Sequence, residues 1–173
     1  MGGGEILAFA INDYLSRETG IKGGLLVPDY GDSFQRAREL GIPLRIYRFD
    51  ALGGKSKLNA NIENLRLSLQ SWDRSAILHF HSPFTYGCAR LMRKLTRLRS
   101  IVHVHLDYSE HDLQWPLKDP PATLIGCADF VLRNAVRVLG PEVDKTKLRT
   151  VLNAIDVDRF KPATQYTEND HSN

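Results

Sequence analysis

Residues 76–105 read AILHFHSPFTYGCARLMRKLTRLRSIVHVH. Two short runs, Ala76 to His81 and Ser100 to His105, are rich in apolar and β-branched residues and bracket a stretch of different period. From Phe84 to Leu98 the residues Leu91, Met92, Leu95 and Leu98 fall on one stripe, with Arg90, Arg93, Lys94 and Arg97 opposite, which is the pattern of an amphipathic helix. A strand, a helix and a second strand in this order make a β-α-β unit, whose strands run parallel. The same alternation continues in both directions. Further strands are expected at Gly24 to Pro28, Leu44 to Phe49, Asp129 to Leu132 and Arg149 to Asn153. Further helices are expected at Glu5 to Glu18, Ser33 to Leu40, Leu58 to Ser71, Pro121 to Cys127 and Asn134 to Leu139. Gly20 and Gly41 follow the first two helices, where helix stops belong. The expected fold class is therefore α/β, with a Rossmann-like, doubly wound parallel sheet.

Composition narrows the function classes. The chain has 173 residues, 42% of them hydrophobic and 25% charged, which suits one soluble globular domain with a real core. The net charge of +3 arises from 23 basic and 20 acidic residues mixed along the chain, so no nucleic-acid surface is implied. Cys88 and Cys127 stand alone in apolar stretches without metal spacing, as unpaired thiols of a reducing compartment do. There is no apolar run of about 18 residues to span a membrane, and no secretory pattern at the amino terminus. These features place the protein in the cytoplasm. The basic stripe of Arg90, Arg93, Lys94 and Arg97 could rest on anionic lipid at the inner membrane face, although a solvated helix face has the same pattern.

The first helix starts almost at residue 4, whereas a doubly wound domain opens with a strand. The expectation is that the first strand lies upstream of Met1, and that the strands at Gly24 to Pro28 and Ala76 to His81 close against each other in its place. The helix opens on Gly2, Gly3, Gly4 and Glu5. Glycines let the backbone approach a ligand, and free amides at a helix start attract phosphate. A glycine run can equally be a plain flexible terminus. It does not form the Gly-x-Gly-x-x-Gly fingerprint of a dinucleotide enzyme.

Histidines are the residues with chemistry to offer. On a strand the side-chain period is two, so His79 and His81 share one face of their strand, and His103 and His105 share one face of theirs. In a parallel sheet the ligand crevice lies beyond the carboxyl ends of the strands. That places His81 and His105 at its lip, where an imidazole can donate to a ligand hydroxyl or to developing charge. His79 and His103 lie deeper and read as structural. A rival reading takes His103, His105, Asp107, His111 and Asp112 as a cluster opening His-x-His-x-Asp, similar to binuclear metal hydrolases. Tyr108 stands where that pattern needs a further His, so no metal is expected. A non-catalytic α/β binding module is the third alternative.

The most specific segment is Arg149 to Pro162, RTVLNAIDVDRFKP. It resembles the segment of glycosyltransferase family 4 in which a strand leads into Asn-Gly-Val-Asp, a short spacer, Arg-Phe and Pro. Asn153, Ile155 or Val157, Asp156, Arg159, Phe160 and Pro162 supply that pattern. Ala154 replaces the usual glycine, which would cost about 1 kcal/mol or more if the backbone there needs positive φ. Ala76 to Leu98, Ser100 to Asp107 and Cys127 to Leu132 resemble further segments of the family in the right order. One departure is that Leu132 runs directly into Arg133 and Asn134 without the polar loop usual in the family.

The resemblance implies that residues 1–162 form the amino-terminal, acceptor-side domain of a GT-B glycosyltransferase, with a disordered tail over residues 163–173. The donor-binding domain lies outside these residues, so the chain alone is expected to be inactive. The implied reaction is retaining transfer of a sugar from a nucleotide-sugar donor to a glycan, lipid or small-molecule acceptor, with no cofactor. His105 would act on the transferred sugar, Gly3 and Gly4 would line the cleft, and His81, Tyr86 and Asp107 would meet the acceptor.

Overall fold

The computed structural model of the chain describes residues 3–27, 31–47, 57–141 and 143–153. The residues from Ala154 through Pro162 and the tail at 163–173 lie outside the described residues. Helix α1 (Gly3–Tyr14) runs into a π-helical turn (Leu15–Thr19) that stops at Gly20, whose φ of 69° suits glycine. Strand β1 (Leu25–Val27), helix α2 (Asp32–Glu39), strand β2 (Leu44–Ile46) and helix α3 (Lys57–Ser68) follow. Then come β3 (Ile77–Phe80), α4 (Pro83–Cys88), α5 (Arg90–Thr96), β4 (Arg99–Val104) and α6 (Glu110–Gln114). The described chain closes with β5 (Thr123–Gly126), α7 (Asp129–Leu139), a 3-10 turn (Lys145–Lys147) and β6 (Leu148–Thr150).

All strand pairs are parallel, in a four-stranded sheet of order β3-β4-β5-β6 and a two-stranded sheet of β1 and β2. The expected closure of the first strand onto the third is not formed, because β1 pairs with β2 alone and β3 with β4 alone among the described residues. The start of α1 stands beside the carboxyl end of β3: a Cβ added at Gly4 would lie 4.0 Å from the His81 carbonyl oxygen. Closing the two strands would drive them against that helix. Side chains tie β2 to α3 and the turn after it, since Arg66 of α3 donates to the Ile46 carbonyl and Arg45 donates to the Ser71 carbonyl at 3.3 Å.

The strand register assigns the two faces of the large sheet. Leu78 pairs with Ser100 and Phe80 with Val102, while Val102 pairs with Leu124 and Val104 with Gly126. Leu78, Phe80, Val102, Val104 and Leu124 meet Tyr86, Met92, Leu113, Val131, Leu132 and Ala135 in one buried apolar cluster. The alternate residues, Ile77, His79, Ile101, His103, Thr123 and Ile125, face the other way.

Two departures from the expected elements have clear causes. The helix expected over Phe84 to Leu98 is broken at Ala89 into α4 and α5. In a continuous helix the Met92 amide would donate to the Cys88 carbonyl, four residues back. Asn64 of α3 inserts its side-chain amide into that rung: Nδ2 donates to the Cys88 carbonyl at 2.8 Å and Oδ1 accepts from the Met92 amide at 3.0 Å. A buried side chain in the ladder is a recognised cause of a helix break.

The second departure concerns residues 121–132, where helix and strand are interchanged. The expected helix at Pro121 to Cys127 is strand β5, and the expected strand at Asp129 to Leu132 is the first turn of α7. Asp129 at the helix start complements the dipole, and Val131, Leu132 and Ala135 form its buried stripe. Gly126 permits the close approach, because a Cβ there would lie 2.5 Å from Leu132 Cγ. The strand-to-helix connection is thus Cys127 and Ala128, so Leu132 is not the end of a strand and the supposed missing loop disappears.

Asn64→Leu should destabilise the domain by about 2 to 6 kcal/mol, since two buried backbone groups lose partners at about 1 to 3 kcal/mol each. Urea unfolding of the two proteins measures it. A loss below about 1 kcal/mol would mean that the helix rung re-forms and the amide does not hold the break.

Candidate functional site

The face opposite the apolar core carries four imidazoles at the carboxyl ends of β3 and β4. Period-two alternation puts His79 and His81 on one edge of the group and His103 and His105 on the other, and the parallel register sets the two pairs side by side. Ring centroids of His79 and His81 are 4.3 Å apart, and those of His103 and His105 are 4.1 Å apart. Across the strands, His79 stacks on His103 at 5.9 Å and His81 stacks on His105 at 5.5 Å. His81 Nδ1 lies 3.3 Å from His105 Nε2, a hydrogen bond between rings.

Burial keeps these rings neutral. Desolvation lowers the His81 pKa from the ordinary 6.5 to about 3, with the neighbouring imidazoles adding to the effect. The same cause lowers His103 to about 4, and lowers His79 and His105 as well. His103 is only 3% exposed. Among the described residues both of its ring nitrogens are buried without a hydrogen-bond partner, as is His79 Nε2. An unpaired buried polar group costs about 1 to 3 kcal/mol, so the cluster is an unfavourable arrangement for purely structural residues.

The structure brings together some of the residues singled out in the sequence and separates others. Gly4 lies against His105, with an added Cβ 3.5 Å from its Cδ2, and Gly3 is the first residue of α1. Gly4, His81 and His105 thus meet where the helix start faces the strand ends. Asp107 is exposed and stands nearer α7, where Asn134 Nδ2 donates to it at 3.4 Å. It lines a cavity of about 190 Å³ with Phe130, Arg133, Asn134 and Arg137. Phe130 fell in the strand expected at Asp129 to Leu132, whereas Asn134 and Arg137 lie in the helix expected from Asn134, which offered no sign of a cavity.

Tyr86 requires correction. It is fully buried in the apolar cluster, its hydroxyl donates to the Asp119 carbonyl at 2.5 Å, and the Arg93 guanidinium lies 3.5 Å over its ring. Tyr86 is a core residue. The basic stripe is largely engaged as well. Arg90 pairs with Asp119, Lys94 lies 3.9 Å from the same carboxylate, and Arg93 covers Tyr86. No helix among the described residues is long and apolar enough to cross a membrane.

The hydrolase-like cluster is not assembled. His111 and Asp112 belong to the exposed start of α6, where Asp112 accepts from Ser109 Oγ at 2.7 Å and its amide donates back to Ser109 Oγ at 3.2 Å. That is a helix cap. A larger cavity of about 560 Å³ lies among Pro120, Pro121, Leu124, Leu139 and Leu148. It sits at the amino ends of β5 and β6, away from the histidines, and offers mainly apolar walls. Neither Cys88 nor Cys127 forms a disulfide among the described residues.

Comparison with protein families finds a match over residues 1–159 to the family described as Glycosyltransferase Family 4. Comparison with curated proteins and with solved structures gives no match.

Because His81 and His103 hold fewer protons when folded than when unfolded, stability is fully present above their ordinary value of 6.5 and is lost as pH falls toward the folded values of about 3 and about 4. Denaturant unfolding at successive pH values should show stability falling from about pH 6.5 to about pH 5, by up to about 1.4 kcal/mol per pH unit for each such histidine. His103→Leu should flatten the slope. A flat profile in the unaltered protein would contradict neutral burial of the rings.

Proposed function

We propose, from the premise that this chain belongs to glycosyltransferase family 4, that it supplies the acceptor-side wall of an enzyme transferring a sugar from a nucleotide-sugar donor with retention of configuration. The observation that carries this reading is the His105 imidazole, half-buried at the carboxyl end of a central parallel strand and set against the glycine start of α1. Substrates of open α/β sheets bind beyond the carboxyl ends of the strands.

His105 is neutral and can donate one hydrogen bond to a hydroxyl of the transferred sugar as charge develops at the anomeric carbon. His81, bonded to His105 through Nδ1, fixes the orientation of that ring. Gly3 and Gly4 open α1 with free backbone amides and no side chains, which suits close approach of a donor phosphate or a polar acceptor group. Asp107, exposed two residues beyond His105, is placed to accept from an acceptor hydroxyl. Retention, the nucleotide donor and the placement of the donor site in a second domain come from the family resemblance. The acceptor remains a glycan, lipid or small molecule, and the reading takes the enzyme to act in the cytoplasm. The reaction as read requires no cofactor.

In the catalytically competent protein that carries this domain, His105→Ala should lower turnover about 10- to 1000-fold, the usual range for one lost transition-state donor. The corresponding His111→Ala change, on the exposed face of α6, should leave it unaltered. Steady-state transfer rates decide the point, and unchanged turnover in His105→Ala would remove this histidine from the site.

A further inference from the structure

We propose that His79, His81 and His103 form a binding site for a divalent transition metal of the zinc class, with His105 as the residue that positions His81. This goes beyond sugar transfer and does not depend on it.

One potential ligand nitrogen from each of the three residues lies within 4.8 Å of the other two. In a tetrahedral site with zinc-to-nitrogen distances of about 2.0 to 2.1 Å, ligand nitrogens stand about 3.3 to 3.4 Å apart. Drawing the three rings onto one ion therefore needs each nitrogen to move by about 1 Å, which small side-chain rotations provide.

An ordinary buried histidine finds hydrogen-bond partners for its nitrogens. Here His103 is 3% exposed with both nitrogens unpaired, and His79 Nε2 is unpaired beside it. Among the described residues these nitrogens have no hydrogen-bond partner, and one nitrogen of each ring of the trio faces the other two. A cation supplies a partner for one nitrogen of each ring.

The contact between His81 and His105 fits the same arrangement. With Nδ1–H of His81 donating to His105 Nε2 across 3.3 Å, the His81 Nε2 lone pair is free to ligate. Metal-bound histidines commonly have their second nitrogen held in this way. Three imidazoles leave the fourth tetrahedral position for water or another small ligand. An all-nitrogen donor set favours zinc, copper(II) or nickel over magnesium and calcium, which prefer oxygen. The trio also differs from the His-x-His-x-Asp cluster considered from the sequence, since it draws on both strands and uses no carboxylate.

The test titrates cobalt(II), an optical stand-in for zinc, into the purified chain and measures zinc retained after dialysis. The expected result is an intense tetrahedral cobalt spectrum, displaced by zinc and not by magnesium, with about one zinc per chain. Zinc and not magnesium should also raise the thermal midpoint. His81→Ala and His103→Ala should abolish retention, and His111→Ala should preserve it. His105→Ala should weaken zinc binding about 10- to 100-fold without changing the stoichiometry, and His105→Gln, which keeps an acceptor, should recover part of the loss. The unaltered protein keeps the proposal falsifiable should a buried variant fail to fold. Absence of both the tetrahedral spectrum and the zinc-specific stabilisation in it would overturn the site. Undiminished zinc retention in folded His81→Ala would do the same.

Discussion

The pairing of Leu78 with Ser100 and of Phe80 with Val102 decides which face of β3 and β4 is dry. Side chains alternate along a strand, so a slip of one residue would turn every apolar residue of the pair outward. Leu78, Phe80, Val102 and Val104 are all buried in the core. Exposing four such side chains would cost on the order of 6 to 12 kcal/mol, at about 1.5 to 3 kcal/mol each. Net stability of a domain is about 5 to 15 kcal/mol, so the register has little freedom. The same register sends His79, His81, His103 and His105 to the opposite face, and their clustering is a consequence of core packing.

The helices adapt to this sheet by local devices. Helix α4 packs on β3 and β4, and α3 packs on α5. The Asn64 amide connects the last pair by taking over the rung between Cys88 and Met92. Gly126 does the corresponding work for α7 by leaving room for Leu132. These contacts cover the apolar face. On the other face the start of α1 reaches His105, so the imidazoles sit partly in the protein and partly at its edge.

Much of this was legible in the sequence, and the limits have physical causes. Runs such as Ala76 to His81 and Ser100 to His105 combine apolar character with β-branching, and both became strands of the expected parallel sheet. Residues 127–132, CADFVL, have the same composition but not the same outcome. Short apolar runs do not separate strand from buried helix, and here the acidic residue at position 129 and the spacing of Val131, Leu132 and Ala135 were the overlooked helical signals. The histidine pairs were visible as His-x-His on each strand, yet their meeting depended on a register that no single strand encodes. Tyr86 lay one turn beyond the histidine strand and read as cleft-facing, but α4 rolls it into the core beneath Arg93. The break at Ala89 was hidden because its cause, Asn64, is distant in sequence.

Four neutral imidazoles are held side by side by that register, and histidine-selective isotope labelling with through-space NMR contacts tests this arrangement most directly. Cross-peaks linking the ring protons of His81 with those of His105, and of His79 with those of His103, are the predicted result. Their absence in the folded protein, or contacts placing any of the four rings among Leu78, Phe80 and Val102, would contradict the register and the site built on it.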